Sequence, residues 1–230
     1  MDTGRVSGLE ALVRWQHPEK GLLSPARFIG VAEETGLIQP LGEWVFWAAC
    51  RQLVGFTKAG LAEIKMGINI SAIQMRNGNL PKLLTQAVET LGVNPADLVF
   101  EITESVAMEQ PEETVRVLDI LHGMGVIIAI DDFGTGYSSL SYLRMFPIRH
   151  LKLDRSFVEE IGQETDGALI CDATIGLAHN LGLTVVAEGV ETEAQLEYLR
   201  SRGCDRVQGF LFSKPIPADE AEAFIRARNP

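Results

Sequence analysis

Two adjacent acids, Asp131 and Asp132, end the apolar run Gly125-Val126-Ile127-Ile128-Ala129-Ile130 and lead into the glycine-rich stretch Phe133-Gly134-Thr135-Gly136. A β-branched run without polar alternation reads as a strand buried on both faces, and carboxylates at its carboxyl end lie where α/β folds place chemistry. Neighbouring carboxylates in such a turn repel each other unless a cation lies between them, so the pair points to divalent metal. Polar residues end the other strand-like segments too: Glu10, Asn69, Glu101, Lys152, Glu188 and Gln208. Glu10, Asn69, Glu101, Asp131 and Asp132 make an all-oxygen donor set, which suits Mg²⁺ or Mn²⁺ rather than Zn²⁺. The histidines, His17, His122, His150 and His179, show no paired ligand spacing and are expected at helix ends or on the surface.

The elements that must position these groups alternate along the chain. Strand-like segments are expected at 5–13, 65–70, 98–102, 126–130, 150–153, 184–187 and 206–210. Helical spacing is expected over 25–35, 41–58, 81–91, 111–124, 166–181, 191–202 and 217–227. Gly92, Gly125, Gly182 and Gly203 each follow a helical pattern, as C-terminal caps do. Alternation with buried strands implies a parallel sheet covered by helices. Polar residues at nearly every strand end, rather than at a single switch point, favour a barrel mouth over an open doubly wound sheet. Trp44, Phe46 and Trp47 are expected to serve as core or helix packing.

Composition narrows the function. The 230 residues are 46% hydrophobic, enough for a real core in one α/β domain spanning 1–230. Lys and Arg number 20 against 31 Asp and Glu, a net charge of −11 with no basic stripe, so duplex DNA or RNA is not an expected partner. An anionic substrate would need bound cations and a few placed basic residues. Cys50, Cys171 and Cys204 lack metal or redox spacing and read as buried thiols of a reducing compartment. No apolar run is long enough to span a membrane and the start lacks a signal-peptide core. The segment is expected to be cytoplasmic and free of membrane contact, alone or as the cytoplasmic part of a larger anchored protein.

The motifs then converge on one family. Glu10-Ala11-Leu12-Val13-Arg14-Trp15 resembles the signature of EAL-domain phosphodiesterases. Asn69-Ile70-Ser71, Glu101-Ile102-Thr103-Glu104, Asp131-Asp132-Phe133-Gly134-Thr135-Gly136-Tyr137-Ser138-Ser139, Lys152-Leu153-Asp154, Ala187-Glu188-Gly189-Val190-Glu191 and Gln208-Gly209-Phe210 follow in family order. The resemblance implies a modified TIM (β/α) barrel that hydrolyses one phosphodiester of cyclic di-GMP, giving linear pGpG through a water activated by two Mg²⁺ or Mn²⁺ ions. It implies Glu10, Asn69, Glu101 and Asp131 as ligands of the first ion, Asp131 and Asp132 as ligands of the second, and Glu188 on a metal or its water. Lys152 is implied to orient the nucleophilic water, with Glu10 and Glu188 also in the catalytic set. Arg14 is implied at a substrate phosphate, Asp154 at the nucleotide, Gln208 on the substrate side as a hydrogen-bonding group in the shell of the metal and its water, Pro215 near a base, and Glu104 as the acid that orders the 132–139 loop. A homodimer is implied, as is linkage to sensory or diguanylate cyclase domains in a longer protein.

Family domains usually begin earlier, with a helix and a first strand carrying a Tyr-Gln-Pro motif. The expectation is therefore a domain shortened at its N-terminus, with seven strands instead of eight and weakened turnover. Glu10→Ala and Lys152→Ala are expected to nearly abolish turnover and leave the fold intact. The alternative is a non-catalytic EAL domain that binds cyclic di-GMP or a protein. Its sequence sign would be loss of the acids or the lysine, and all are present.

Overall fold

A computed structural model describes residues 3–61, 63–136, 139–163 and 167–229. In chain order the elements are β1 (Gly8–Glu10), β2 (Trp15–His17), β3 (Gly21–Leu23), α1 (Ile29–Glu34), α2 (Ile38–Lys58), β4 (Lys65–Asn69), α3 (Ala72–Arg76), α4 (Leu80–Leu91), β5 (Leu98–Thr103), α5 (Glu104–Glu109) and α6 (Pro111–Gly123). There follow β6 (Ile127–Phe133), α7 (Leu140–Leu143), β7 (His150–Leu153), α8 (Arg155–Glu159), α9 (Gly167–Asn180), β8 (Thr184–Ala187), α10 (Glu193–Ser201), β9 (Arg206–Val207) and α11 (Ala218–Arg228). Among the described residues seven strands are hydrogen-bonded in the order β1-β4-β5-β6-β7-β8-β9, and β2 pairs with β3 as a separate antiparallel hairpin. The pairings β1–β4, β6–β7, β7–β8 and β8–β9 are parallel. This is an α/β fold of the open, incomplete TIM-barrel class, with strand order following chain order.

The chain divides into two compact units. In the unit formed by Ser7–Phe100 and Ile120–Val126, α2 buries Phe46, Leu53 and Phe56, and Phe46 meets Phe100 of β5 edge to face at 6.2 Å. Leu80, Leu84 and Ala87 give α4 an apolar stripe at spacings of four and three. Trp44 departs from expectation: it faces solvent, 58% exposed, because it lies off the buried face of α2 that Phe46 and Leu53 occupy.

In the unit that contains Glu101–Asp119 and Ile127–Pro230, every residue of β7 is buried, as is the Ile128 to Asp131 stretch of β6. Cys171, Ile175 and Ala178 line the inner face of α9 at spacings of four and three. Burial pushes the Cys50 and Cys171 thiols up to about 12 and Cys204 to about 11, which keeps all three as inert packing groups. Among the described residues no helix is long and apolar enough to cross a membrane.

Several boundaries differ from the sequence reading. β1 covers only three residues of the expected 5–13, and β9 two of the expected 206–210. β6 runs on through both acids to Phe133, so Asp131 and Asp132 lie within the strand instead of after it. The expected helix over 25–35 is a 3₁₀ turn, Pro25–Arg27, followed by α1.

His150 also departs from expectation. It opens β7, is buried, and has Nδ1 without a hydrogen-bond partner among the described residues, while Arg206 Nη1 approaches Nε2 at 3.5 Å. Burial, aided by the Arg206 charge, pulls its pKa from 6.5 down to about 4. Between these values the unfolded chain takes up a proton that the folded chain refuses, so this part of the stability is complete above pH 6.5 and lost as pH falls toward 4. Urea denaturation of the native chain and His150→Gln should show the native advantage shrinking by about 2 to 3 kcal/mol from pH 7 to 4.5. A pH-independent difference would refute the buried neutral imidazole.

Candidate active site

Regular strands send successive side chains to opposite faces, so adjacent acids on β6 should point apart. They do not. The pairing of β6 with β7 shifts register between Ile130 and Phe133, and Asp132 takes φ 52°, the only positive φ of a non-glycine residue among the described ones. Asp131 Oδ1 accepts the Asp132 N–H at 2.9 Å, fixing this bulge. As a result Asp131, Asp132 and Glu188, at the end of β8, each present an oxygen within 4.8 Å of the others. A left-handed non-glycine residue costs about 1–3 kcal/mol, least for Asp or Asn, and such strain persists where it serves a site.

Lys152 enters the same cluster from β7. Its neighbours Leu151 and Leu153 are buried, and its own side chain is only 3% exposed. Its Nζ donates to Glu101 Oε2 at 2.6 Å and Asp131 Oδ2 at 3.0 Å, and pairs with Glu188 Oε1 at 2.7 Å. Glu101 and Asp131 are buried as well. The family resemblance implies a place for Lys152 beside a water; the structure adds that it is the internal counter-ion of three carboxylates. Asp132, by contrast, is pushed up to about 6, first by burial and then by the charges of Asp131 and Asp154, against the opposing pull of Lys152.

Around this cluster, Asp154 caps α8, accepting the Ser156 N–H at 3.0 Å and the Ser156 hydroxyl. Glu104, 1% exposed at the start of α5, accepts the Gly134 N–H at 2.8 Å. Gly134 has φ 97°, and a Cβ there would lie 2.8 Å from the Phe157 ring, so only glycine fits that bend. Tyr137 and Ser138 of the same loop motif lie outside the described residues. Gln208 links backbones through its own main chain, donating to the Ala187 carbonyl at 2.8 Å and accepting from Val190 N–H at 3.0 Å. Pro215 is exposed.

The remaining expected residues belong to the other unit. There Asn69 Nδ2, at the end of β4, donates to Glu10 Oε1, at the end of β1, at 2.6 Å. Pairing of β1 with β4 in register Glu10↔Gly67 brings these two strand ends together. Arg14 Nη1 rests on the Val13 carbonyl at 2.8 Å.

The donor chemistry fits hard divalent cations. Asp131, Asp132 and Glu188 offer carboxylate oxygen alone, without thiolate or imidazole, and their spacing lets one ion reach all three. The signature of the EAL domain matches residues 1–215. The chain belongs to the EAL-domain family. This EAL domain is 44% identical over 222 residues to the bifunctional diguanylate cyclase/cyclic di-GMP phosphodiesterase MucR of Pseudomonas aeruginosa, covering 96% of this chain and 32% of MucR. It is 45% identical over 224 residues to the cyclic di-GMP phosphodiesterase NbdA of the same organism, covering 97% of this chain and 29% of NbdA. The chain thus spans about a third of the length of these curated relatives. Among solved structures, the PaMucR phosphodiesterase in complex with c-di-GMP superposes with a TM-score of 0.93 at 44% identity, covering 95% of this chain and 89% of that one.

Sequence reasoning overlooked one residue of this EAL domain, Gln195, whose buried amide ties together the backbones beyond β7 and β8. Its signal was legible: Thr192-Glu193-Ala194-Gln195 has the spacing of a capping box, and the box forms.

Proposed function

We propose that this chain hydrolyses one phosphodiester bond of cyclic di-GMP to linear pGpG. The observation that carries the reading is buried Lys152 paired with buried Glu101 and Asp131 and with half-buried Glu188, Asp132 lying beside them, in a chain 44% identical to a structure solved with c-di-GMP. Two Mg²⁺ or Mn²⁺ ions, when bound, supply an activated water and stabilise charge on the phosphate. Glu101, Asp131 and Asp132 are assigned as their ligands, with Asp131 shared, and Glu188 as a ligand of a metal or its water. Glu10 and Asn69 are assigned to the same ligand set by motif resemblance, Glu10 serving the catalytic set as well.

Lys152 holds its ammonium against these acids and orients the attacking water. Arg14 needs only to leave the Val13 carbonyl to offer its fork to a phosphate oxygen. Asp154, Gln208 and Pro215 are assigned to the nucleotide side. Asp154 does so from a rigid helix cap, and Glu104 orders the loop that follows Asp132. We further assign residues 1–230 to a single EAL domain acting in the cytoplasm. It acts as a homodimer and as one part of a longer chain with sensory or diguanylate cyclase domains.

Chromatography of reactions with cyclic di-GMP and Mn²⁺, run beside EDTA controls and calorimetric binding, tests the activity. Metal-dependent pGpG is the expected result. Tight binding of cyclic di-GMP without product would instead make the chain a receptor.

A further inference from the structure

The segment that begins with Glu188 and leads into α10 is fastened at three places. First, Gln195 Oε1 accepts the N–H groups of Glu191 at 2.8 Å and Thr192 at 3.0 Å, while its Nε2 donates to the Val158 carbonyl of α8 at 3.1 Å. Second, Gly189, at φ 71°, comes so close to α8 that a Cβ there would lie 2.4 Å from Arg155 Cβ. Third, Val190 donates to the Gln208 carbonyl and accepts from Leu211 N–H, both at 3.0 Å. A Cβ on Gly209 would lie 2.2 Å from the Val190 oxygen. Of these fastenings, only Gln195 acts through a side chain.

Its position gives that side chain leverage. α8 starts immediately after Asp154, two residues beyond Lys152, and Glu191 lies three residues beyond Glu188. One buried amide therefore joins the backbone downstream of Lys152 to the backbone downstream of Glu188, the two residues that form an ion pair at 2.7 Å. We propose that Gln195 is a positioning residue for the metal centre: it holds Glu188 in place against Lys152, Asp131 and Asp132. This inference rests on the metal-centre reading above. The amide is suited to the task because one group must accept two N–H bonds and donate one to a carbonyl. Glutamate in its place keeps the two acceptances but sets a charged oxygen against the Val158 carbonyl oxygen, which breaks the tie to α8 and adds a negative charge; methionine breaks the same tie without adding charge. Partners that orient metal-binding side chains from behind are worth about 10- to 100-fold in metal affinity.

The test is calorimetric titration with Mn²⁺, without nucleotide, of the native chain, Gln195→Glu and Thr192→Ala, each with its Tm. Thr192→Ala removes the hydroxyl that accepts the Gln195 N–H at 3.2 Å and leaves the Gln195 side chain in place. It is expected to lower Tm by about 2–4 °C and to keep native Mn²⁺ affinity. Gln195→Glu is expected to weaken Mn²⁺ binding by about 10- to 100-fold. Should Gln195→Glu not fold, Gln195→Met is held to the same expectation. Native affinity in the Gln195 variant, or a loss in both variants that only tracks Tm, overturns the proposal. A native chain that takes up no Mn²⁺ overturns the metal-centre reading itself, and is distinguishable because it appears without any substitution.

Discussion

Replacing Lys152 with methionine is expected to lower kcat for cyclic di-GMP by about 10³-fold, within the range for a group that handles the reacting water's proton. The same substitution is expected to destabilise the metal-free chain by about 3–5 kcal/mol. The second effect reverses the sequence expectation that Lys152 could be removed without cost to the fold. Nζ lies within 3.0 Å of oxygens from Glu101, Asp131 and Glu188, and the side chain is 3% exposed. Methionine fills the volume but leaves these acids without their cation, and buried like charges repel strongly. Mn²⁺ restores positive charge, so the variant should regain more stability from Mn²⁺ than the native chain does. Steady-state turnover together with urea denaturation in EDTA and in Mn²⁺ checks both halves. A native rate, or equal metal-free stability, contradicts the role assigned to Lys152.

Asp131→Asn should abolish detectable Mn²⁺ uptake, whereas Asp132→Asn should retain one ion of two. Both oxygens of Asp131 are committed, Oδ1 to the Asp132 N–H and Oδ2 to Lys152. An asparagine there must turn an N–H₂ group toward one of these two donors, so the bulge and the shared ligand are lost together. Partners that merely orient ligands cost up to about 100-fold in metal affinity, and a shared ligand is expected to cost at least that. Asp132 differs. Asparagine tolerates its φ of 52°, and loss of one of several mutually repelling acids relieves charge, so metal-free Tm should hold or rise. Calorimetric stoichiometry should read two for the native chain, one for Asp132→Asn and none for Asp131→Asn. Two ions retained by Asp131→Asn would contradict the assignment.

Strand-end chemistry was legible because parallel strands deliver their carboxyl ends to one edge. Glu101, Asp131, Lys152 and Glu188 were read one by one and are met as a cluster. β7 and β8 were read to the residue, since each is a short apolar run bounded by turn signals. The end of β6 was misjudged because acids usually stop strands, and here a bulge carries the pairing past them. The β2–β3 hairpin and the short helices α3, α5, α7 and α8 escaped because four to six helical residues, or three strand residues, are too few to show a period. The ion pairs of Lys152 could not be read at all. They depend on the register between strands 21 to 51 residues apart, which no local pattern encodes.

The most direct test of the central claim is turnover of cyclic di-GMP in ¹⁸O-labelled water, with product analysed by mass spectrometry in Mn²⁺ and in EDTA. Water attacks phosphorus and the 3′ oxygen leaves as a hydroxyl, so the account predicts pGpG with one ¹⁸O in its 5′-phosphate, formed only when metal is present. Absence of product in Mn²⁺, or equal product in EDTA, would contradict it.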